Sequence, residues 1–189
     1  MDNHIIGISG LARCGKDTFF NLFKSNFQEE DCLRIAFADE LKKELNTFLV
    51  KNFRISAYTE NNQQKEIIRP IMVSYGLAKR EISKGKYWIN KVKKQIKSSD
   101  NRFVFITDVR FPNEIWQIKE LGGFVLHIER EGNLAPNKEE EDNDPKNKEI
   151  SDFHFKWKDF EKEEEGYSNK CVEEFIKKYN WDGRENINK

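Results

Sequence analysis

"GISGLARCGKDT", residues 7 to 18, places Gly10, Gly15 and Lys16 in the G-x-x-x-x-G-K frame of a phosphate-binding loop. The residue after the lysine is ordinarily Ser or Thr; here it is Asp17, and Thr18 follows one place later. The frame carries meaning only where a strand runs into it and a helix leaves it, and the flanks meet both conditions. "HIIGIS" is a short apolar run suited to a buried strand, and "KDTFFNLFKSNF" carries Phe19, Phe20, Leu22, Phe23 and Phe27 at helix-compatible spacings. In that setting the loop wraps its N–H groups around a polyphosphate, the helix directs its positive end at the same anion, and Lys16 reaches the outer phosphates. An acid beside phosphates adds repulsion. At the first helical turn, however, the dipole favours Asp17, and its carboxylate can hold a divalent cation directly or through water.

Outward from the loop, strands and helices alternate. "CLRIAFA" reads as a second strand feeding "DELKKELNTFLVKNF", where Asp39 is the expected N-cap and Leu41, Leu45, Phe48 and Leu49 share an apolar face. Residues 64–98 read as mostly helical, with Pro70 near a helix start, Gly76 at or near a break and Gly85 ahead of "KYWINKVKKQIK". "RFVFITDVRFPNE" is the clearest strand. Its continuous apolar run from Phe103 to Ile106 suits a strand covered on both faces, Pro112 opens the next helix, and Gly122 and Gly123 stop it. "FVLHIER" supplies a fourth strand, "DFHFKW" with alternating Phe153, Phe155 and Trp157 a fifth, and "NKCVEEFIKKY" a closing helix. Between Glu131 and Glu149 the stretch "EGNLAPNKEEEDNDPKNKE" has almost no apolar side chains and is expected to form a mobile insertion. The pattern predicts an α/β fold around a mainly parallel sheet: one domain over 1–189, with a helical region about 39–98 and a lid-like insertion about 131–157.

Composition narrows the function. Lys plus Arg and Asp plus Glu both total 33 in 189 residues, so no net positive field exists to hold a nucleic-acid polymer. Cys14, Cys32 and Cys171 are widely spaced, which favours a reduced compartment, and no apolar run reaches membrane-span length. The expectation is a cytoplasmic protein with small-molecule partners, a homodimer being left open.

Four further blocks, "FADELKKEL", "IRPIMVSYGLAKRE", "YWIN" and "ITDVRFPNEIWQIKELGGFVLHIER", occur in the order of comparable blocks in the phage-type deoxynucleoside monophosphate kinase family. With the loop, the resemblance covers most of residues 5 to 130, and "GKDT" is similar to loop endings of kinases in which the usual Ser/Thr is displaced. The resemblance implies a P-loop NTPase-type three-layer fold, and transfer of the γ-phosphate of ATP to a deoxynucleoside monophosphate with Mg2+, in the host cytoplasm if the protein is viral. Carried onto this chain, Gly10, Arg13, Gly15, Lys16, Asp17 and Thr18 would bind ATP, and Asp17 and Asp108 would hold Mg2+. Lys16, Asp108 and Arg110 would serve transfer, and Asp39, Lys42, Arg69, Arg80, Trp88 and Arg110 would serve the acceptor.

Position supports part of this set independently. Asp108 ends an apolar strand where ligands gather in α/β sheets, and a planar guanidinium at Arg110 suits bidentate contact with phosphate. Tyr75 and Trp88 are either base-stacking rings or core aromatics. After Arg130 the family's His-x-Ser-Glu-like stretch is replaced by the insertion and "SDFHFKW". Two alternatives remain: another P-loop small-molecule kinase, of phosphomevalonate or dephospho-coenzyme A kinase type, or a non-catalytic nucleotide-binding regulatory module.

Overall fold

Every one of the expected strands forms, and all run parallel. The computed structural model describes residues 3–158 and 166–178. Its strands are β1 (His4–Ser9), β2 (Cys32–Ile35), β3 (Phe103–Val109), β4 (Phe124–Arg130) and β5 (Phe153–Trp157), in the sheet order β2-β3-β1-β4-β5. The described helices are α1 (Lys16–Lys24), α2 (Phe37–Phe53), α3 (Asn62–Ile82), α4 (Lys86–Lys97), α5 (Pro112–Glu120), α6 (Lys138–Ile150) and α7 (Tyr167–Lys178). Two compact units result, Met1–Arg34 with Asp100–Lys189, and Ile35–Ser99.

In the first unit the strand alternation sorts side chains into two layers. Ile6, Ile8, Phe103, Phe105, Leu126, Ile128 and Trp157 pack with Phe19, Phe20 and Phe23 of α1 and Val172, Phe175 and Ile176 of α7. Aromatic edges hold this layer: Phe23 meets Phe103 at 5.2 Å and Phe105 at 4.9 Å between ring centroids, and Phe19 meets Phe175 at 5.4 Å. Helices α5 and α6 cover the opposite face. There Gly7 lies in close contact with α5: a methyl group on it would lie 2.7 Å from Ile118 Cδ1, which would have to shift to admit it.

The β1–β3 register slips where the strands end. Gly7 pairs with Ile106 but Ser9 with Val109, so β3 carries one extra residue in that interval, and Asp108 falls within it. Such a bulge re-aims a side chain at the sheet rim.

The second unit corrects three local expectations. Helix α2 starts at Phe37 with Ala36 as its N-cap, so Asp39 lies in the first turn, where the dipole favours it as well. Pro70 lies inside α3 rather than near its start; the helix is instead capped by Asn61, whose side chain accepts from Gln64 N. Gly76 marks no break either. Its carbonyl accepts the Trp88 indole N–H at 3.1 Å, and its missing side chain leaves room for Leu41, whose Cδ1 would lie 2.7 Å from an added methyl group. Leu45, Leu49, Ile55, Ala57 and Ile68 form this unit's core, and packing of that kind overrides the weak helix preference of Pro and Gly.

The stretch expected to lack structure contains helix α6. Asn137 caps it by accepting from Glu140 N at 2.9 Å, and an acid-rich first turn suits the helix dipole. Composition hid this helix because its buried face is polar.

Candidate active site

The chain leaves β1 through a loop that only particular residues can make. Gly10 has φ 128°, and a methyl group on it would lie 2.2 Å from the Ile128 carbonyl oxygen. Arg13 and Gly15 also take positive φ, 65° and 98°. Left-handed residues alternating with ordinary ones turn successive N–H groups toward one concavity, the geometry of an anion nest, and α1 begins directly behind it. Lys16 at the first position of α1 curls back so that its Nζ donates to Gly10 O and Leu11 O, each at 2.8 Å. The glycines and lysine that the motif singled out are thus brought together.

Asp17 stands in the first turn of α1 with its side chain 71% exposed, and its Oδ1 accepts from Arg34 Nε of β2 at 3.3 Å. Arg13 and Thr18 are exposed, and Asp108 is half-buried at the end of β3. Arg110 follows that strand. Its backbone N–H and that of Phe111 donate to Glu114 Oε2 at 2.9 and 3.1 Å, which ties the strand end to the start of α5.

Sequence reasoning missed the residues that brace the loop. Asn133 Nδ2 donates to Ala12 O at 3.0 Å, and Ala12 N donates to Glu140 Oε2 at 2.7 Å, so both polar groups of one loop residue are held by side chains from beyond β4. The other oxygen, Glu140 Oε1, accepts from Arg110 Nη1 at 3.1 Å, and Asn147 Nδ2 donates to Arg110 O at 2.8 Å. The available signal was spacing: Glu140, Asp144 and Asn147 fall at i, i+4 and i+7, one face of a helix.

A polar cluster lies beside them. Ser9 Oγ and His127 Nδ1 share a hydrogen bond of 3.0 Å, and Ser9 Oγ lies 3.4 Å from Ser151 Oγ, which donates to Asn147 O at 2.7 Å. Burial holds the His127 imidazole down to a pKa of about 4. The 3.7 Å approach of its Nε2 to Asp144 Oδ2 is therefore no ion pair at neutral pH. Asp144 is itself pushed up to about 6, first by burial and then by the nearby charge of Glu129. It lines a small cavity with Gly10, Leu11, Val109, Arg110, Glu140 and Asn147.

The remaining predicted residues lie in the second unit. Asp39 and Lys42 approach to 4.0 Å at the start of α2, Arg69 is exposed on α3, and Arg80 is half-buried near its end. Trp88 is only 5% exposed with its N–H taken by Gly76, a core position rather than a base-stacking surface. Tyr75 and Tyr87 each donate a hydroxyl to Glu44 at 2.8 Å, and Lys91 pairs with the same carboxylate. Burial opposes ionisation of Glu44, but the bonds from Lys91, Tyr87 and Tyr75 outweigh it and lower its pKa. These rings tie α2, α3 and α4 together.

A phosphate loop at the end of the central strand of an all-parallel, helix-covered sheet is the phosphate-binding arrangement of P-loop proteins. The chain belongs to the phosphomevalonate kinase family, which matches residues 8–123, and on that ground is a P-loop small-molecule kinase, an ATP-dependent phosphotransferase. No curated protein sequence matches it. Among solved structures it is similar to TT1252 from Thermus thermophilus, with TM-score 0.53 and 11% identity over 98% of this chain and 100% of that one. It is also similar to the dephospho-CoA kinase from Campylobacter jejuni, with TM-score 0.47 and 14% identity over 93% and 96% of the two chains. The tunicamycin resistance protein of Deinococcus radiodurans gives TM-score 0.46 and 13% identity over 94% and 95%. At these identities the likeness concerns the fold alone. The described residues contain no helix long and apolar enough to cross a membrane.

Proposed function

We propose that this kinase passes the γ-phosphate of ATP to a small phosphate monoester, with a deoxynucleoside monophosphate as the first acceptor to test. The observation that carries the reading is the bridge through Glu140, which places the Arg110 guanidinium one carboxylate away from Ala12 of the phosphate loop. An arginine so placed suits an anionic acceptor, because its planar fork binds two phosphate oxygens at once.

In this reading the loop N–H groups and the start of α1 hold the ATP phosphates. Lys16 exchanges the carbonyls of Gly10 and Leu11 for phosphate oxygens. An oxygen of the acceptor phosphate attacks the γ-phosphorus, the bond from that phosphorus to the β,γ-bridging oxygen breaks, and ADP departs. The attacking oxygen is already anionic at neutral pH, so no general base is needed; position and charge neutralisation supply the acceleration. Asp17 and Asp108 are oxygen donors suited to holding Mg2+ through water, which when bound would neutralise part of the phosphate charge. Asp39, Lys42, Arg69 and Arg80 are assigned to the acceptor; the lid-like role expected for about 131–157 is not carried forward, because α6 covers the sheet and β5 is one of its strands.

Family membership favours a second acceptor of the same chemistry, phosphomevalonate, which also presents a phosphate monoester. The deciding experiment incubates the purified chain with ATP, Mg2+ and, in turn, each deoxynucleoside monophosphate, phosphomevalonate and dephospho-coenzyme A. A deoxynucleoside diphosphate product supports the first reading and diphosphomevalonate the second. Phosphorylation of dephospho-coenzyme A alone, at an alcohol, would overturn the phosphate-acceptor reading.

A further inference from the structure

Helix α6 inverts the usual logic of a packed helix. At the spacing that normally presents an apolar stripe it offers Glu140, Asp144 and Asn147, with Glu140 8% and Asn147 2% exposed. Burying a carboxylate is unfavourable unless its charge is compensated, and even a compensated buried pair adds little stability over an apolar substitute. Such a stripe is therefore poorly explained by folding stability. Both Glu140 oxygens are engaged, one by the Ala12 N–H at 2.7 Å and one by Arg110 Nη1 at 3.1 Å. Asn147, two turns on, takes the Arg110 carbonyl at 2.8 Å. The arginine is gripped by one helix at both its side chain and its main chain, and the same carboxylate grips the loop.

We propose that Glu140 is a positioning residue: it fixes the aim of the Arg110 guanidinium relative to the phosphate loop, so that an acceptor phosphate on Arg110 is held in register with the phosphate to be transferred. The inference rests on the reading of Arg110 as an acceptor-phosphate ligand. A carboxylate suits this task because its two oxygens face two different donors, and a small error in the relative placement of reacting groups is expensive in rate. Glu140→Gln separates the two grips. The amide oxygen still accepts from Ala12 N–H, whereas the amide NH2 faces a guanidinium that has only donors, and the arginine is released.

The test uses the full chain as parent, Glu140→Gln, Arg110→Ala and the double variant, with steady-state kinetics in ATP and in the acceptor and calorimetric ATP binding. Glu140→Gln is expected to raise the acceptor KM or lower kcat by about tenfold or more while ATP affinity stays within about threefold, the loss appropriate to one charge-assisted contact. The double variant is expected to be no worse than Arg110→Ala, since the carboxylate acts through the arginine. Additive losses, or an equal loss of ATP affinity, would overturn the proposal. A parent that phosphorylates no acceptor would refute the functional reading instead. The positioning claim is then decided by NMR: a sharp, exchange-protected Arg110 guanidinium N–H signal in the parent, lost in Glu140→Gln while the Ala12 amide shift is retained, supports it. An unchanged Arg110 signal overturns it.

Discussion

A methyl group at Gly10 would lie 2.2 Å from the carbonyl oxygen of Ile128, so the phosphate loop and β4 are joined at a contact that admits only glycine. The obstacle is backbone, which cannot rotate aside, and the φ of 128° is itself closed to other residues. Gly10→Ala is expected to destabilise the chain by at least about 2 kcal/mol, a fall in Tm of about 4–8 °C for a protein of this size. ATP binding should be lost with it. A thermal melt and calorimetric titration that both match the parent would show that the loop can be rebuilt.

Among the described residues the Lys16 ammonium hydrogen-bonds only loop carbonyls and the neighbouring Cys14 sulfur, so its charge serves the site and not the core. Lys16→Met is expected to abolish phosphoryl transfer with an unchanged circular dichroism spectrum and a stability change within about 1 kcal/mol. Undiminished turnover by the folded variant would remove the lysine from the mechanism.

For Asp17 two readings make opposite forecasts. Its exposed pair with Arg34 at 3.3 Å contributes at most about 1 kcal/mol, so Asp17→Ser should move the denaturation midpoint only slightly. If the carboxylate also helps to hold Mg2+, the same substitution shifts the magnesium dependence of turnover to higher concentration. Superimposable magnesium titrations would leave Asp17 as a helix-start residue paired with Arg34.

Trp88→Phe removes a buried N–H bond of 3.1 Å to Gly76 O and part of a buried ring. A loss of about 1–2 kcal/mol in urea denaturation is expected, with the acceptor KM unchanged. A raised KM at preserved stability would restore Trp88 to the acceptor site.

His127 and Asp144 give opposed pH dependences. His127 takes up its proton near 6.5 unfolded but only near 4 folded, so the unfolded chain binds more protons in that window and stability falls as pH drops through it. Asp144 protonates near 6 folded and 3.8 unfolded, so its contribution rises as pH drops over much of the same window. The two slopes offset one another in the parent. Asp144→Asn should expose the histidine's slope, a loss on the order of 2 kcal/mol between about pH 6.5 and 4.5 by urea denaturation. Parallel slopes for parent and variant would exclude the coupling.

The sequence by itself determined the parts whose physics is local. The strand, loop and helix from His4 to Lys24 follow from an apolar run, glycine at positions of positive φ, and a period-3.6 set of phenylalanines, each readable within a dozen residues. The parallel sheet follows from the alternation of strands and helices, because parallel neighbours require a crossover. Tertiary structure decided the rest. Ala12, Arg110, Asn133, Glu140 and Asn147 are scattered along the chain and become a network only when α6 packs beside the loop. A polar stripe gives no hydrophobic signal: the i, i+4, i+7 spacing of Glu140, Asp144 and Asn147 in "KEEEDNDPKNKEI" marks one helix face but not that this face is the buried one. Trp88 is undecided for a related reason: an indole reads the same in sequence whether its N–H meets a base or the carbonyl of Gly76, and only the crossing of α3 and α4 selects the second. Local pattern fixes which elements form, since their hydrogen bonds and apolar faces lie in neighbouring residues; which charges lose their water depends on what packs over them, and that is known only once the chain has folded.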